Sequence, residues 1–327
     1  MVDLFSLIKD TGAYKIVSGD IKSDRLSHAY LLLTPDGENL LGYLKTFAKL
    51  IMCETSSCCN KCRACRLIDD QTHPDVNVFP KTKDSVVVED ISALIEDSYI
   101  KPIEGTKKLF LIAHGETMNV ASQNKLLKTL EEPPKNVHII IGATSEFALL
   151  PTIKSRVKKL EIPPFTKDKL MNALKEDYPD TARLSQAVGA SDGTVGKTIA
   201  LYGDDNLTEI LDAVCDTLIN MQSSRDVLAY SVKISALKGG FDGFVNALEL
   251  TLRDMLFGLD GKEELVLNTT VYNRVKSAKG YNRGALIYAL ETLTEVSKRR
   301  KFNANQGMLT EWMLFQILEG KFKWQKS

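Results

Sequence analysis

Five of the chain's six cysteines fall between positions 53 and 65, in the stretch CETSSCCNKCRAC. Thiolates at that density suit a soft divalent cation, and Zn²⁺ takes four of them tetrahedrally. Cys59, Cys62 and Cys65 sit three apart, and Cys53 lies six residues before Cys59. Each C-x₂-C link turns two sulfurs toward one point, so the spacing reads as a four-cysteine zinc site. Cys58 is a spare that replaces Cys59 only if the first link becomes C-x₃-C. The competing reading is a set of reduced thiols without metal. A closed four-thiolate site keeps no open coordination position, so its role is structural and not catalytic. A DNA-reading finger would need the histidine pair of that class. The nearest histidine, His73 in THPDVNVF, reads as a loop residue.

A second stretch keeps the frame of phosphate chemistry and lacks its groups. In HAYLLLTPDGENLLGYLKTFAK (28–49) an apolar run reaches the turn Pro35-Asp36-Gly37, and an amphipathic helix follows. That is the layout of a P-loop, G-x-x-x-x-G-K-[ST]. Here Thr34 and Asn39 stand at the glycine positions, and Leu40 and Leu41 stand where Lys and Ser/Thr should be. A P-loop enzyme also needs a strand ending in acids that hold Mg²⁺. The candidate, KKLFLIAHGETMN, ends in Ala113-His114, and Glu116 lies too far along to be the same residue. A decoy, SDGTVGKT (191–198), has Gly196-Lys197-Thr198 in place, but Ser191 replaces the first Gly and ARLSQAVGA before it reads as helix. One cation has a suggestive position: Ser155-Arg156-Val157 follows Pro151 in a short helical turn after an apolar strand. An arginine there has no phosphate in cis, so a functional one acts across an interface; otherwise it is a surface charge.

The elements that carry these groups are legible. AYLLL (29–33), DVNVF (75–79), SVVV (85–88), LFLIA (109–113) and HIIIGA (138–143) are short apolar runs of the kind buried in a parallel sheet. Between the last two, Val120, Leu126, Leu127 and Leu130 fall at helix spacing and Pro133-Pro134 ends the helix. Residues 1–165 therefore read as an α/β domain. After Pro163-Pro164 strand signals almost vanish. Leu207, Ile210, Leu211, Val214 and Leu218 form one helical face. The segments 244–259 and 307–320 are helical and apolar nearly all round, which predicts burial. We place a small helical domain at 166–206 and a larger one at 207–327.

The totals exclude some classes. Forty-two basic residues balance 42 acidic ones in a chain of 327, so binding to nucleic acid or membrane by bulk charge is not expected. The start MVDLFSLIKD does not read as a signal peptide, and no apolar run nears the ~20 residues of a bilayer span. The expectation is a cytoplasmic protein without membrane contact.

Together these residues resemble the delta-prime family of bacterial DNA polymerase III clamp-loader subunits, in the AAA+ class. The matching pieces are RLSHAYLL (25–32), the cysteine cluster with THPDV (72–76), NKLLKTLEEPPKNVHIII (124–141), TIKSRV (152–157) and RRKFNANQGMLTEWML (299–314). The match is dense over 20–165 and thin beyond. LLKTLEEPP is shared with the ATP-hydrolysing tau/gamma relatives; the degenerate P-loop favours delta-prime. The resemblance implies an AAA+ domain with a zinc module whose ligands are Cys53, Cys59, Cys62 and Cys65. It implies that Arg156 is an arginine finger reaching a neighbour's ATP, and that no ATP is tightly bound in cis. It further implies a helical lid and a collar that joins five subunits, tau/gamma and delta among them, with the sliding clamp and primer-template DNA met through the complex. Three residues depart from the family pattern. Val157 replaces the Cys of the Ser-Arg-Cys motif, Ser92 stands where Arg is usual, and Lys197 stands near the lid position of a sensor Arg. Two other functions compete: an active ATPase of the tau/gamma kind, and a zinc-dependent DNA-binding module using the basic run KRRK (298–301).

Overall fold

The computed structural model describes residues 4–55, 57–81, 85–237, 240–300 and 305–323. The chain divides into two compact units. The first comprises Met1–Phe165 with Asn172–Asp177 and Thr194–Gly196, and the second Thr166–Met171, Tyr178–Gly193 and Lys197–Ser327.

The first unit is built on a sheet of five parallel strands among the described residues: β1 (Ala29–Leu33), β2 (Val76–Phe79), β3 (Lys108–Ile112), β4 (Val137–Ala143) and β5 (Lys158–Glu161), ordered β2-β3-β4-β1-β5. Tyr30 pairs with Ile140, and Leu109 with His138. Every residue of β3 and β4 is buried. Helices cover both faces of such strands, so apolar side chains are needed on both, and four of the five expected runs form strands.

Two differences have local causes. SVVV (85–88) is not a strand. Val86 is buried, but its N–H donates to Thr117 Oγ1 at 3.0 Å, and the Val87 N–H donates to the Asp90 carboxylate at 3.1 Å as the Val88–Ser98 helix begins. A four-residue apolar run carries no period that separates strand from helix start. The strand missed was β5, KKLE, in which only Leu160 is buried. An edge strand exposes one face and one side, so it lacks an apolar run.

The Val120–Glu131 helix starts at Asn119, whose side chain accepts from Ser122 N at 2.8 Å, and stops ahead of Pro133. Leu126 and Leu130 pack under the sheet, whereas Val120, expected on that face, is 59% exposed.

Described by itself, the second unit is helical throughout its described residues. Leu207, Ile210, Leu211, Val214 and Leu218 of the Leu207–Asn220 helix are all buried in its core, as the spacing predicts. The Gly240–Leu259 and Gln306–Lys323 helices add Phe244, Leu248, Leu252, Met313, Leu314 and Ile317. Their burial is not complete: Leu259, Met308 and Phe322 are exposed. Among the described residues no helix is long and apolar enough to cross a membrane.

His138 in β4 is buried beside the Ser27 carbonyl, 2.8 Å from its Nδ1, and burial holds its pKa below the ordinary 6.5. As pH falls through that value the unfolded chain takes up the proton first, so the fold loses stability on acidification. Burial pushes His73 in the same direction. The melting temperature is expected to be lower at about pH 5.5 than at about pH 7.5, values either side of the histidine range. The gap should narrow in His138→Gln; an unchanged gap would remove His138 as a cause.

Candidate functional site

The cysteine cluster is assembled by two helix ends and a reversed loop. The Leu40–Met52 helix runs into Cys53, which is extended. Cys58 and Asn60 then take left-handed backbone, φ 50° and 55°, and turn the chain back. Cys62 caps the Arg63–Asp69 helix, its sulfur accepting from Cys65 N at 3.5 Å, and Cys59 Sγ accepts from Cys62 N at 3.3 Å. The sulfurs of Cys53, Cys59, Cys62 and Cys65 all lie within 4.8 Å of one another, with Cys53 and Cys62 4.0 Å apart. Four thiolates around zinc at ~2.3 Å would stand about 3.8 Å apart. The group could therefore hold a metal ion with small adjustments.

The spare is identified by direction. Cys58 lies outside the group and donates its S–H to the Thr46 carbonyl at 3.1 Å. His73 lies outside it too, accepting from Asp75 N at 3.1 Å. Electrostatics inside the cluster are uneven. Burial raises the Cys53 pKa, but the backbone N–H of Cys59 and the Thr55 hydroxyl, with the N–H groups of Ser57 and Thr55, more than offset it and bring it down to about 5. Lys61 and Cys62 N–H groups lower Cys59. Cys65 is pushed up, first by burial and then by its thiol neighbours. Ligand cysteines must be deprotonated, and a cation supplies the charge that makes this favourable at Cys65.

The turn after β1 has filled its own cradle. Asp36 is buried, and its carboxylate accepts from Tyr43 OH at 2.9 Å, Val195 N at 2.9 Å and Gly196 N at 3.1 Å. The run 194–196 belongs to this same unit. Burial and the Asp36 charge push the Tyr43 phenol well above its usual pKa, so it stays a donor. A P-loop offers backbone N–H groups to a bound phosphate. Here N–H groups are offered to the chain's own carboxylate. Gly196 of the decoy motif serves that contact: a Cβ on it would lie 2.6 Å from Asp36 Oδ1 and 2.6 Å from Glu38 Cβ. Leu40, at the lysine position, is fully buried, and a Cβ on Gly142 of β4 would press on its Cδ1 at 3.0 Å.

Past β3, Ala113 is buried and His114 is left-handed at φ 54°. Glu116 reaches sideways to Thr144 at the end of β4, accepting from its hydroxyl at 2.8 Å.

Arg156 follows the Pro151–Lys154 helical turn. Its Nη1 donates to the Thr152 carbonyl at 2.9 Å and to Ser155 Oγ at 3.2 Å, and its Nη2 lies 2.7 Å from Glu131 Oε1. The side chain remains about one-third exposed, beside a cleft of about 430 Å³ lined by His28, Leu130, Glu131 and Ser155. The turn is fastened from beneath. Buried Gln123 donates to the Met118 and Ala148 carbonyls at 3.0 and 2.9 Å and accepts from Leu150 N at 2.7 Å. Sequence reasoning passed over Asp36, Gln123 and Glu131, because a single polar residue in a turn or helix gives no spacing signal.

Lys197 and the described arginines of the basic run have local partners. Lys197 pairs with Asp192 at 2.8 Å, and Arg253 shares that carboxylate at 3.1 Å. In the basic run, Arg299 pairs with Glu295 and lies 4.1 Å over Trp312, and Arg300 pairs with Asp242. Lys301 lies outside the described residues.

The chain is similar to known proteins. Residues 9–166 match the family described as DNA polymerase III, delta subunit. The chain is 26% identical over 316 residues to DNA polymerase III subunit delta' of Bacillus subtilis, spanning 94% of this chain and 95% of that one. It is 27% identical over 304 residues to the subunit delta' of Pseudomonas aeruginosa, spanning 89% and 91%. Among solved structures, a gamma subunit-related protein of Thermotoga maritima covers 94% of this chain and 99% of its own, at 18% identity and TM-score 0.45.

Two predictions follow from the site. Cys59→Ser should lose bound metal by elemental analysis of freshly purified, reduced protein, while Cys58→Ser keeps it; the reverse would move the ligand from Cys59 to Cys58. Asp36→Ala strands three donors that now bond a carboxylate. Such bonds contribute roughly 1.5–3 kcal/mol each, so the variant should unfold at clearly lower urea. Gly196→Ala should also destabilise by forcing the turn away. Wild-type urea midpoints in both would show that the contact contributes nothing.

Proposed function

We propose that the chain belongs to the delta-prime family of DNA polymerase III clamp-loader subunits and works there without hydrolysing ATP itself. Its α/β unit with a parallel sheet is, on this reading, the AAA+ domain of such a subunit. On this reading it takes part in DNA replication by completing a clamp loader and presenting Arg156 to the ATP held by a neighbouring subunit.

The observation that carries the proposal is Asp36. A buried carboxylate bonded to Tyr43, Val195 and Gly196 sets negative charge in the turn that would receive phosphate. Leu40 and Leu41 supply neither the ammonium nor the hydroxyl that phosphates and Mg²⁺ require. The tau/gamma-like ATPase is disfavoured on the same ground. A guanidinium in trans needs nothing from that turn. It needs only to be held at a surface, and Arg156 is so held.

The four-cysteine set fits structural Zn²⁺, which would bind Cys53, Cys59, Cys62 and Cys65 and pin the two helix ends. Proposed partners are tau/gamma and delta subunits, with the sliding clamp and primer-template DNA engaged through the complex. The helical lid at 166–206, the collar at 207–327 and a cytoplasmic site of action belong to the same proposal. The zinc-dependent DNA-binding reading has weak support, since Arg299 and Arg300 are spent on Glu295, Trp312 and Asp242.

The test is Arg156→Ala in a complex reconstituted with tau/gamma and delta subunits. Arginine fingers contribute about 10³–10⁵ in rate at the site they serve. The complex should assemble and melt normally, yet lose the ATPase of the one neighbouring site and slow in clamp loading. Arg156→Lys should restore little, because an ammonium lacks the planar fork. Full DNA-stimulated ATPase in an assembled Arg156→Ala complex would defeat the proposal.

A further inference from the structure

The ion pair between Arg156 and Glu131 joins two pieces of chain that the function so far treats separately. Glu131 is the last residue of the Val120–Glu131 helix. That helix is held rigidly: Leu126 and Leu130 are buried beneath it, and Gln123 bonds it to the 148–150 backbone through Ala148 and Leu150. The carboxylate at its end is therefore presented from a fixed place. Arg156 rises from the turn on the other side. Thr152 and Ser155 take its Nη1, Glu131 lies against its Nη2, and its Nε has no partner among the described residues.

A long side chain on a surface turn samples many rotamers. A carboxylate on one edge and a carbonyl on the other reduce that freedom to one orientation of the guanidinium plane. About a third of the side chain stays open to solvent, and the cleft beside it leaves room for an incoming group. We propose that Glu131 is a positioning residue for the arginine finger: it orients the Arg156 guanidinium before a neighbour's phosphoryl group arrives. This rests on the trans-acting reading of Arg156 given above. Glu131 touches no substrate and acts only through Arg156.

The pair is half-exposed, and exposed pairs contribute ~0.2–1 kcal/mol, so the expected effect is modest, up to about fivefold. The experiment uses the complex reconstituted with tau/gamma and delta subunits, with steady-state ATPase measured against ATP concentration. Glu131→Ala should lower kcat about two- to fivefold and leave the KM for ATP unchanged. Glu131→Gln keeps an acceptor oxygen in the same place and should recover most of the loss. Glu131→Ala combined with Arg156→Ala should be no slower than Arg156→Ala alone, since a positioner has nothing left to position.

Wild-type kcat in Glu131→Ala, with Arg156→Ala impaired, would overturn the positioning role and leave the finger standing. Full activity in Arg156→Ala would overturn the finger and this inference together. A rise in kcat for Glu131→Ala would mean that the carboxylate restrains the finger, which contradicts the proposal. A fall that tracks lost assembly or a lowered melting temperature, with no rescue by Gln, would make the pair structural and overturn it as well.

Discussion

A carboxylate removed from water is costly to keep charged unless hydrogen-bond donors match it. Asp36 is such a group, and Tyr43, Val195 and Gly196 are its match. The satisfaction of this one charge makes a P-loop layout compatible with the absence of its lysine, serine and glycines. The first helical turn beyond it is then free to be apolar, and Leu40 packs against β4 where a lysine would have faced a phosphate. The sheet keeps the strand-turn-helix layout of a P-loop because β1 and the Leu40–Met52 helix are core elements in their own right.

The same helix connects that turn to the cysteine cluster. Its N-terminal end follows the Asp36 turn and its C-terminal end delivers Cys53. A metal bound by Cys53 and by Cys62 and Cys65 of the following helix would tie down both ends of a loop that contains two left-handed non-glycine residues, Cys58 and Asn60. Lys49 reinforces the closure through Asn60 Oδ1 at 2.8 Å and Asp69 at 2.9 Å. Such coordination and the local ion pairing would act on the same few turns of chain.

Across the sheet, the residues that present Arg156 are ordered by Gln123 instead of by charge. A buried amide with its donors and its acceptor all satisfied is rigid, since each bond restricts the others. The helix bearing Glu131 and the turn bearing Arg156 are tied together by those bonds. The consequence is a surface cation whose supporting turn and helix are fixed by the interior of the domain.

Spacing and composition were enough for several conclusions. Runs such as LFLIA and HIIIGA, bounded by polar turns and separated by a helical pattern, read as buried strands. The helical face from Leu207 to Leu218 is a matter of period. The departure from the P-loop pattern at Thr34, Asn39, Leu40 and Leu41 is a matter of side-chain types, and the four-thiolate group follows from cysteine spacing. Other features depended on contacts between distant positions. Whether Cys58 or Cys59 faces the cluster turns on a single left-handed residue and a carbonyl at Thr46. SVVV became a helix start because Asp90 and Thr117 took the N–H groups of Val87 and Val86. Asp36 is an ordinary turn residue until Gly196, some 160 positions later, closes on it. Local spacing encodes which face of an element is apolar and which ligand types lie close in sequence. It does not encode where a lone polar side chain finds its partner, because that partner is chosen by the packing of the whole domain.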